Sequence, residues 1–170
     1  MNTAHLHLLL THLAVLGAAF GVLSIVVALI RKSDEVKRFA LVVLVGAAVA
    51  AIPAYLTGEP AEEIVEHLAG VSESLIEVHE DAAIYSLVLI EFSGLLALLS
   101  MGFINRPFGR KLVLITSLVS VAALGSIVWT ANLGGKIRHS EIRADSGQQQ
   151  PSESKQNHEG DDHDDDHDDD

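Results

Sequence analysis

Cysteine is absent from the 170 residues, and aromatic side chains make up only 5% of them. The first absence excludes disulfide frameworks, thiolate metal sites, iron–sulfur clusters and cysteine nucleophiles. The second, set against 49% hydrophobic residues, means that Leu, Val, Ile and Ala supply nearly all of the apolar surface, an unusual balance for a water-soluble domain. Basic residues are scarce as well, 11 Lys and Arg against 23 Asp and Glu, and they fall in small groups. A nucleic-acid partner is not expected, because binding a phosphate backbone requires a cationic face. Catalytic fingerprints are also missing: the chain has no GxSxG, no P-loop, no dinucleotide glycine pattern and no recognisable Ser-His-Asp set. The sequence does not point to an enzyme.

What is present is strongly segregated. The formal charge of −12 resides largely in residues 158–170 (HEGDDHDDDHDDD), which hold nine of the acids and no Lys or Arg. Without that segment the balance is 11 basic to 14 acidic residues, or −3. Residues 145–170 contain almost nothing apolar and are expected to be a disordered acidic tail, following a membrane domain over 1–144.

Four apolar runs, about 6–30, 39–57, 82–103 and 112–132, are each long enough to cross a bilayer, where roughly 20 apolar residues are needed. They predict an all-α, four-helix transmembrane bundle. The loop 31–38 carries four Lys and Arg and the stretch 104–111 carries three, whereas 58–81 carries none. By the retention of positive charge in short cytoplasmic loops, this places both termini and the 58–81 segment outside a bacterial inner membrane. The first run has no basic residue before it and Arg31-Lys32 after it, the reverse of a cleaved signal peptide, so it is expected to be a retained helix.

Segment 60–80 has Pro60 and several acids at its start and apolar residues at helical spacing, predicting an amphipathic surface helix or a helical pair broken near Gly70. Gly17 and Gly21 form a GxxxG in the first run, and Gly46 to Ala51 is a run of small residues, which together predict close helix packing. Pro53 is expected to kink the second helix.

On this topology His5, His7, His12, His67, His79 and His139 all fall on the outer side. His5 and His12 are seven apart and share a helical face, Glu63 and His67 are i,i+4 partners beside Glu66, and His79 precedes Glu80. Imidazole with carboxylate is the ligand set of zinc, iron, manganese and copper(II). The expected site is therefore a transition-metal centre built from His12, His67, His79, His139, Glu63, Glu66 and Glu80, with His5 and His7 nearby, serving metal handling or a metal-dependent redox step. His158, His163 and His167 in the tail would raise local metal concentration.

Glu91 lies about ten residues into the third run, at a depth where a carboxylate costs at least a few kcal/mol unless protonated or paired. It marks either a proton path along the Glu80, Leu87 and Glu91 stripe or a structural hydrogen bond to a neighbouring helix. Two other functions remain open: a b-type haem protein ligated by His12 with His67 or His79, and a non-catalytic assembly subunit. Beyond the lipid bilayer, the partners compatible with these readings are further copies of the chain or a membrane redox complex.

The stretches MNTAHLHLLLTHLAVLG, IPAYLTGEPAEEIVEHLAGVSESLIEVHEDAA and ANLGGKIRHSEI resemble a family of uncharacterised bacterial four-helix membrane proteins of unknown function. The resemblance covers about residues 3–142. It implies the four-span fold and a Gly134, Gly135 and His139 motif, and it implies no activity.

Overall fold

The architecture is that of a computed structural model, which describes residues 2–68 and 70–139. Its elements are α1 (Thr3–Arg31), α2 (Asp34–Leu56), α3 (Gly58–Val65), α4 (Glu73–Phe103) and α5 (Gly109–Arg138). Among the described residues there is no strand, and α1, α2, α4 and α5 are each long and apolar enough to span a membrane. This is the expected all-α four-helix bundle of a multi-pass membrane protein. The acidic tail, with His158, His163 and His167, lies outside the described residues.

Local chemistry sets the helix ends. Asn2 caps α1 by accepting from the His5 backbone N–H at 3.0 Å, and Lys32 closes it in the left-handed region at φ 51°. Ser33 then caps α2 by accepting from the Val36 N–H at 3.3 Å. The surface segment is the broken form of the two expected: α3 is short, Gly70 turns the chain at φ +81°, and residues from Glu73 onward belong to the first turns of α4. Gly is suited to that turn because a side chain at positive φ would be strained.

In cross-section α1 packs on α2, α2 on α4, α4 on α5, and α5 closes on α1, with α3 against α1 and α2. Helices α1 and α4 are therefore diagonal. The interior is built from small residues: Ala14, Ala18, Ala47, Ala48, Ala51 and Ala123 surround Ile90 and Ile127 in one half. Ile25, Leu41, Leu44 and Val113 fill the other. Large apolar side chains face outward instead, among them Leu16, Leu23, Ile30, Leu98 and Leu118. That inversion is what helices association through close backbone contact requires when the exterior is as apolar as the core.

The packing prediction for the first hairpin holds. A Cβ on Gly17 would lie 3.1 Å from the Ala47 Cβ, and one on Gly21 would lie 2.7 Å from Leu44 Cδ2. On the other side of α2, a Cβ on Gly94 would come within 2.5 Å of the Ala48 Cβ, so α2 and α4 also meet through a missing side chain.

The α4–α5 seam uses hydroxyls instead. Ser86, Ser93 and Ser100, spaced by seven, bond to Ser126 and Thr130 (2.7 and 2.8 Å), Ser120 (2.7 Å) and Thr116 (2.8 Å). Ser120 and Thr116 already donate their protons to the Thr116 and Leu112 carbonyls, so Ser93 and Ser100 act as donors across the seam.

Among the exposed aromatic side chains, Tyr55, Tyr85 and Trp129 sit near one end and Phe39, Phe103 and Phe108 near the other, with Phe20 and Phe92 between them. The 18 residues from Tyr85 to Phe103 correspond to about 27 Å of helix at ~1.5 Å per residue, close to the ~30 Å hydrocarbon thickness of a bilayer. The first turns of α4, with His79 and Glu80, project beyond that slab.

Candidate functional site

The end of the bundle opposite the basic loops contains a cavity of about 100 Å³ between the diagonal helices α1 and α4. Its walls include His7 and Thr11 from α1, His79 and Ser86 from α4, and Thr130 from α5, with alanines from all sides beneath them. Small side chains that let the helices approach lower down leave room here, where the polar groups stand.

Both imidazoles are held in the same way. His7 Nδ1 lies 2.9 Å from the Ala54 carbonyl at the end of α2 and 3.3 Å from Thr57 Oγ1. His79 Nδ1 lies 3.0 Å from the Thr130 carbonyl of α5. A carbonyl can only accept, so each Nδ1 carries the proton and donates it. In that tautomer each Nε2 keeps its lone pair. The Ala54 carbonyl is available because it lies in the last turn of α2, where carbonyls lack intrahelical partners, and Thr57 Oγ1 also donates to the Pro53 and Ala54 carbonyls at 2.9 Å.

Gly134 explains part of the glycine motif. A Cβ on it would sit 3.0 Å from His79 Cε1 and 3.3 Å from Nδ1, so the imidazole packs flat against bare backbone one turn after Thr130. At Gly135 a Cβ would meet nothing within 4 Å among the described residues.

Above the cavity α3 meets α4 through two carboxyl groups. The hydrogen bond with Glu80, then burial, then the negative charges of Glu80, Glu66 and Glu59, push the Glu62 carboxyl up to about 7. The neighbouring negative charge makes ionising Glu62 costly, so it keeps its proton to higher pH. Sequence reasoning missed Glu62, one of four glutamates within residues 59–66; only the packing of α3 on the bundle singles it out.

The remaining expected ligands are placed separately. His12 is exposed, with Nδ1 2.7 Å from the Leu8 carbonyl of its own helix, and His5 is exposed two turns earlier. The Glu63 and His67 pairing does not form: α3 ends at Val65, so His67 leaves the helical face and its Nε2 contacts the adjacent Glu66 at 3.3 Å. Glu63, Glu66 and His139 are exposed as well. Among the described residues no three His, Asp or Glu side chains are grouped as a metal ion would need.

The expected stripe from Glu80 is only partly realised. Leu87 lines the cavity, whereas Glu80 and Glu91 do not; the Oε1 of Glu91 is buried with no hydrogen-bond partner among the described residues. The structural hydrogen bond expected for Glu91 is not made by that oxygen.

No family model, curated protein or solved structure matches this chain.

Proposed function

We propose that this multi-pass membrane protein lies in a bacterial inner membrane with both termini outside, its apolar exterior covered by lipid, and binds a transition-metal ion at its extracytoplasmic end through His7 and His79. The observation that carries the reading is the matched anchoring of the two rings: each Nδ1 donates to a backbone carbonyl, and both residues line one cavity. Tying one ring nitrogen to a carbonyl fixes the tautomer and orientation of a metal-ligating His and raises its basicity. The proposal moves the site from the dispersed set of His12, His67, His139, Glu63 and Glu66 to a pair, with Glu80 next in sequence to His79.

Two imidazoles are an incomplete ligand set, so water or an exogenous ligand would complete the coordination. Nitrogen and oxygen donors without sulfur favour zinc, iron, manganese or copper(II). An open site of this kind fits metal handling or a metal-dependent redox step. The two rings do two things at this end: they orient a lone pair each, and they join α1 to α2 and α4 to α5.

Haem b is the second reading, because a bis-imidazole pair on facing helices is also an axial ligand set. The cavity volume of about 100 Å³ weighs against it, since sites for ligands of that size occupy ~300 Å³ or more. Elemental analysis and absorption spectroscopy of the purified protein decide between them. The expected result is one metal per chain, no Soret band, and metal content reduced to background in His7→Ala and His79→Ala but retained in His12→Ala. Background metal in the wild type, without a Soret band, would overturn both readings and leave an assembly role within a homo-oligomer or a redox complex.

A further inference from the structure

A second cavity, of about 350 Å³, lies at the opposite end of the bundle, between the α1–α2 turn and the start of α5. Lys32, Lys37, Arg106 and Arg110 line it, with Asp34 as the one acid. Asp34 is taken by Lys37, whose Nζ is 2.7 Å from its Oδ1. Among the described residues no carboxylate lies within ion-pair distance of Lys32, Arg106 or Arg110. Three cations therefore converge from two loops without an internal counter-charge.

The floor is apolar: Leu29, Ile104 and Val113. The wall includes Gly109 and Arg110, the first residues of α5, a 30-residue helix with no side-chain cap and no acid in its first turn. An uncapped helix start adds partial positive charge to the same opening. Arg38 at the start of α2 links to the α4–α5 connection by donating from Nη2 to Asn105 Oδ1 at 3.4 Å.

A cavity of this volume falls in the range of small-molecule sites. Its chemistry, unpaired guanidinium and ammonium groups over an apolar floor at the level of exposed Phe103 and Phe108, matches a phosphate-bearing anion attached to hydrocarbon. We propose that the cavity binds a phosphoryl group, supplied by the headgroup of an anionic lipid in the adjoining leaflet, with Arg106 and Arg110 as its principal ligands. Arginine suits this role because its planar fork presents paired donors to phosphate oxygens. Basic pockets between transmembrane helices are a recurrent headgroup-binding chemistry. The inference is independent of the His7 and His79 reading.

The test is native mass spectrometry of the full chain from nanodiscs of phosphatidylcholine with or without phosphatidylglycerol. The wild type should retain one phosphatidylglycerol with at least 10-fold preference over phosphatidylcholine, and Arg106→Gln with Arg110→Gln should abolish that preference. Arg31→Gln with Lys111→Gln removes the same charge from the same end but outside the cavity, and should leave it intact. That pair also controls for folding and for inverted insertion. Equal loss in both double variants would reduce the effect to diffuse surface charge and overturn the site, as would no loss in either. A second arm adds inorganic phosphate to pure phosphatidylcholine nanodiscs at matched ionic strength. Thermal stabilisation there that depends on Arg106 and Arg110, with no retained phosphatidylglycerol, would overturn the lipid as the source and assign soluble phosphate.

Discussion

Substituting Gly134 by Ala would probe the His79 anchor without touching a ligand. The new methyl would lie 3.0 Å from His79 Cε1 and 3.3 Å from Nδ1, whereas relaxed contacts between heavy atoms lie at ~3.5–4.0 Å. The ring must therefore retreat from α5 by roughly 0.5–1 Å. Its bond to the Thr130 carbonyl, one turn away on the same helix, is 3.0 Å long. A retreat of that size carries it to the limit of hydrogen bonding, costing about 0.5–1.5 kcal/mol. Gly to Ala in a helix returns up to ~1 kcal/mol, so global stability should change little. Metal affinity should change more, by about 10–100-fold, as when the partner of a ligating His is lost.

Gly135→Ala supplies the matched control, since it gains the same helix propensity and meets no neighbour within 4 Å among the described residues. Titration of both variants with cobalt(II), followed by its visible absorption, measures the difference. Identical affinity in the two variants would refute the argument that the Thr130 carbonyl tunes His79 for metal.

Three further outcomes follow from other parts of the molecule. The Glu62 carboxyl has a folded-state value of about 7 against an ordinary 4.5, so proton uptake stabilises the folded state fully below pH ~4.5, and that contribution is lost as pH rises through ~7. Because both carboxyl groups are near solvent, the effect should not exceed about 1 kcal/mol; melting temperature should fall between pH 5 and 8 in the wild type and stay flatter in Glu62→Gln. A double-mutant cycle of Ser93→Ala and Ser120→Ala should return a coupling of about 0.6 kcal/mol, with ~1.7 kcal/mol as the upper end for hydrogen bonds between membrane helices; additive losses would show that the seam is held by packing alone. The absence of native cysteine makes single-cysteine labelling unambiguous. In intact cells an impermeant maleimide should reach Glu73→Cys and should reach Glu35→Cys only after permeabilisation, and the reverse pattern would invert the proposed orientation.

The sequence by itself determined the bundle. Four long apolar runs leave helices as the only way to satisfy the backbone in a bilayer, and turn residues such as Gly70 and Ser33 have few alternatives. It also determined that Gly17 and Gly21 offer one side of α1 for close packing, because one-dimensional spacing fixes which side of a helix a residue occupies. Ser86, Ser93 and Ser100, spaced by seven, share one face of α4, and the packing of α5 on that face supplies their partners. Composition and the sidedness of Lys and Arg gathered the six histidines at one end, but not which of them face inward. That was decided only by tertiary structure: rotation of α1 in the bundle turns His7 to the Ala54 carbonyl and leaves His12 exposed, and termination of α3 at Val65 removes His67 from the face it would share with Glu63. The pairing of Glu62 with Glu80, and the meeting of two basic loops over one cavity, likewise depend on contacts between segments far apart in the chain, to which local periodicity is blind.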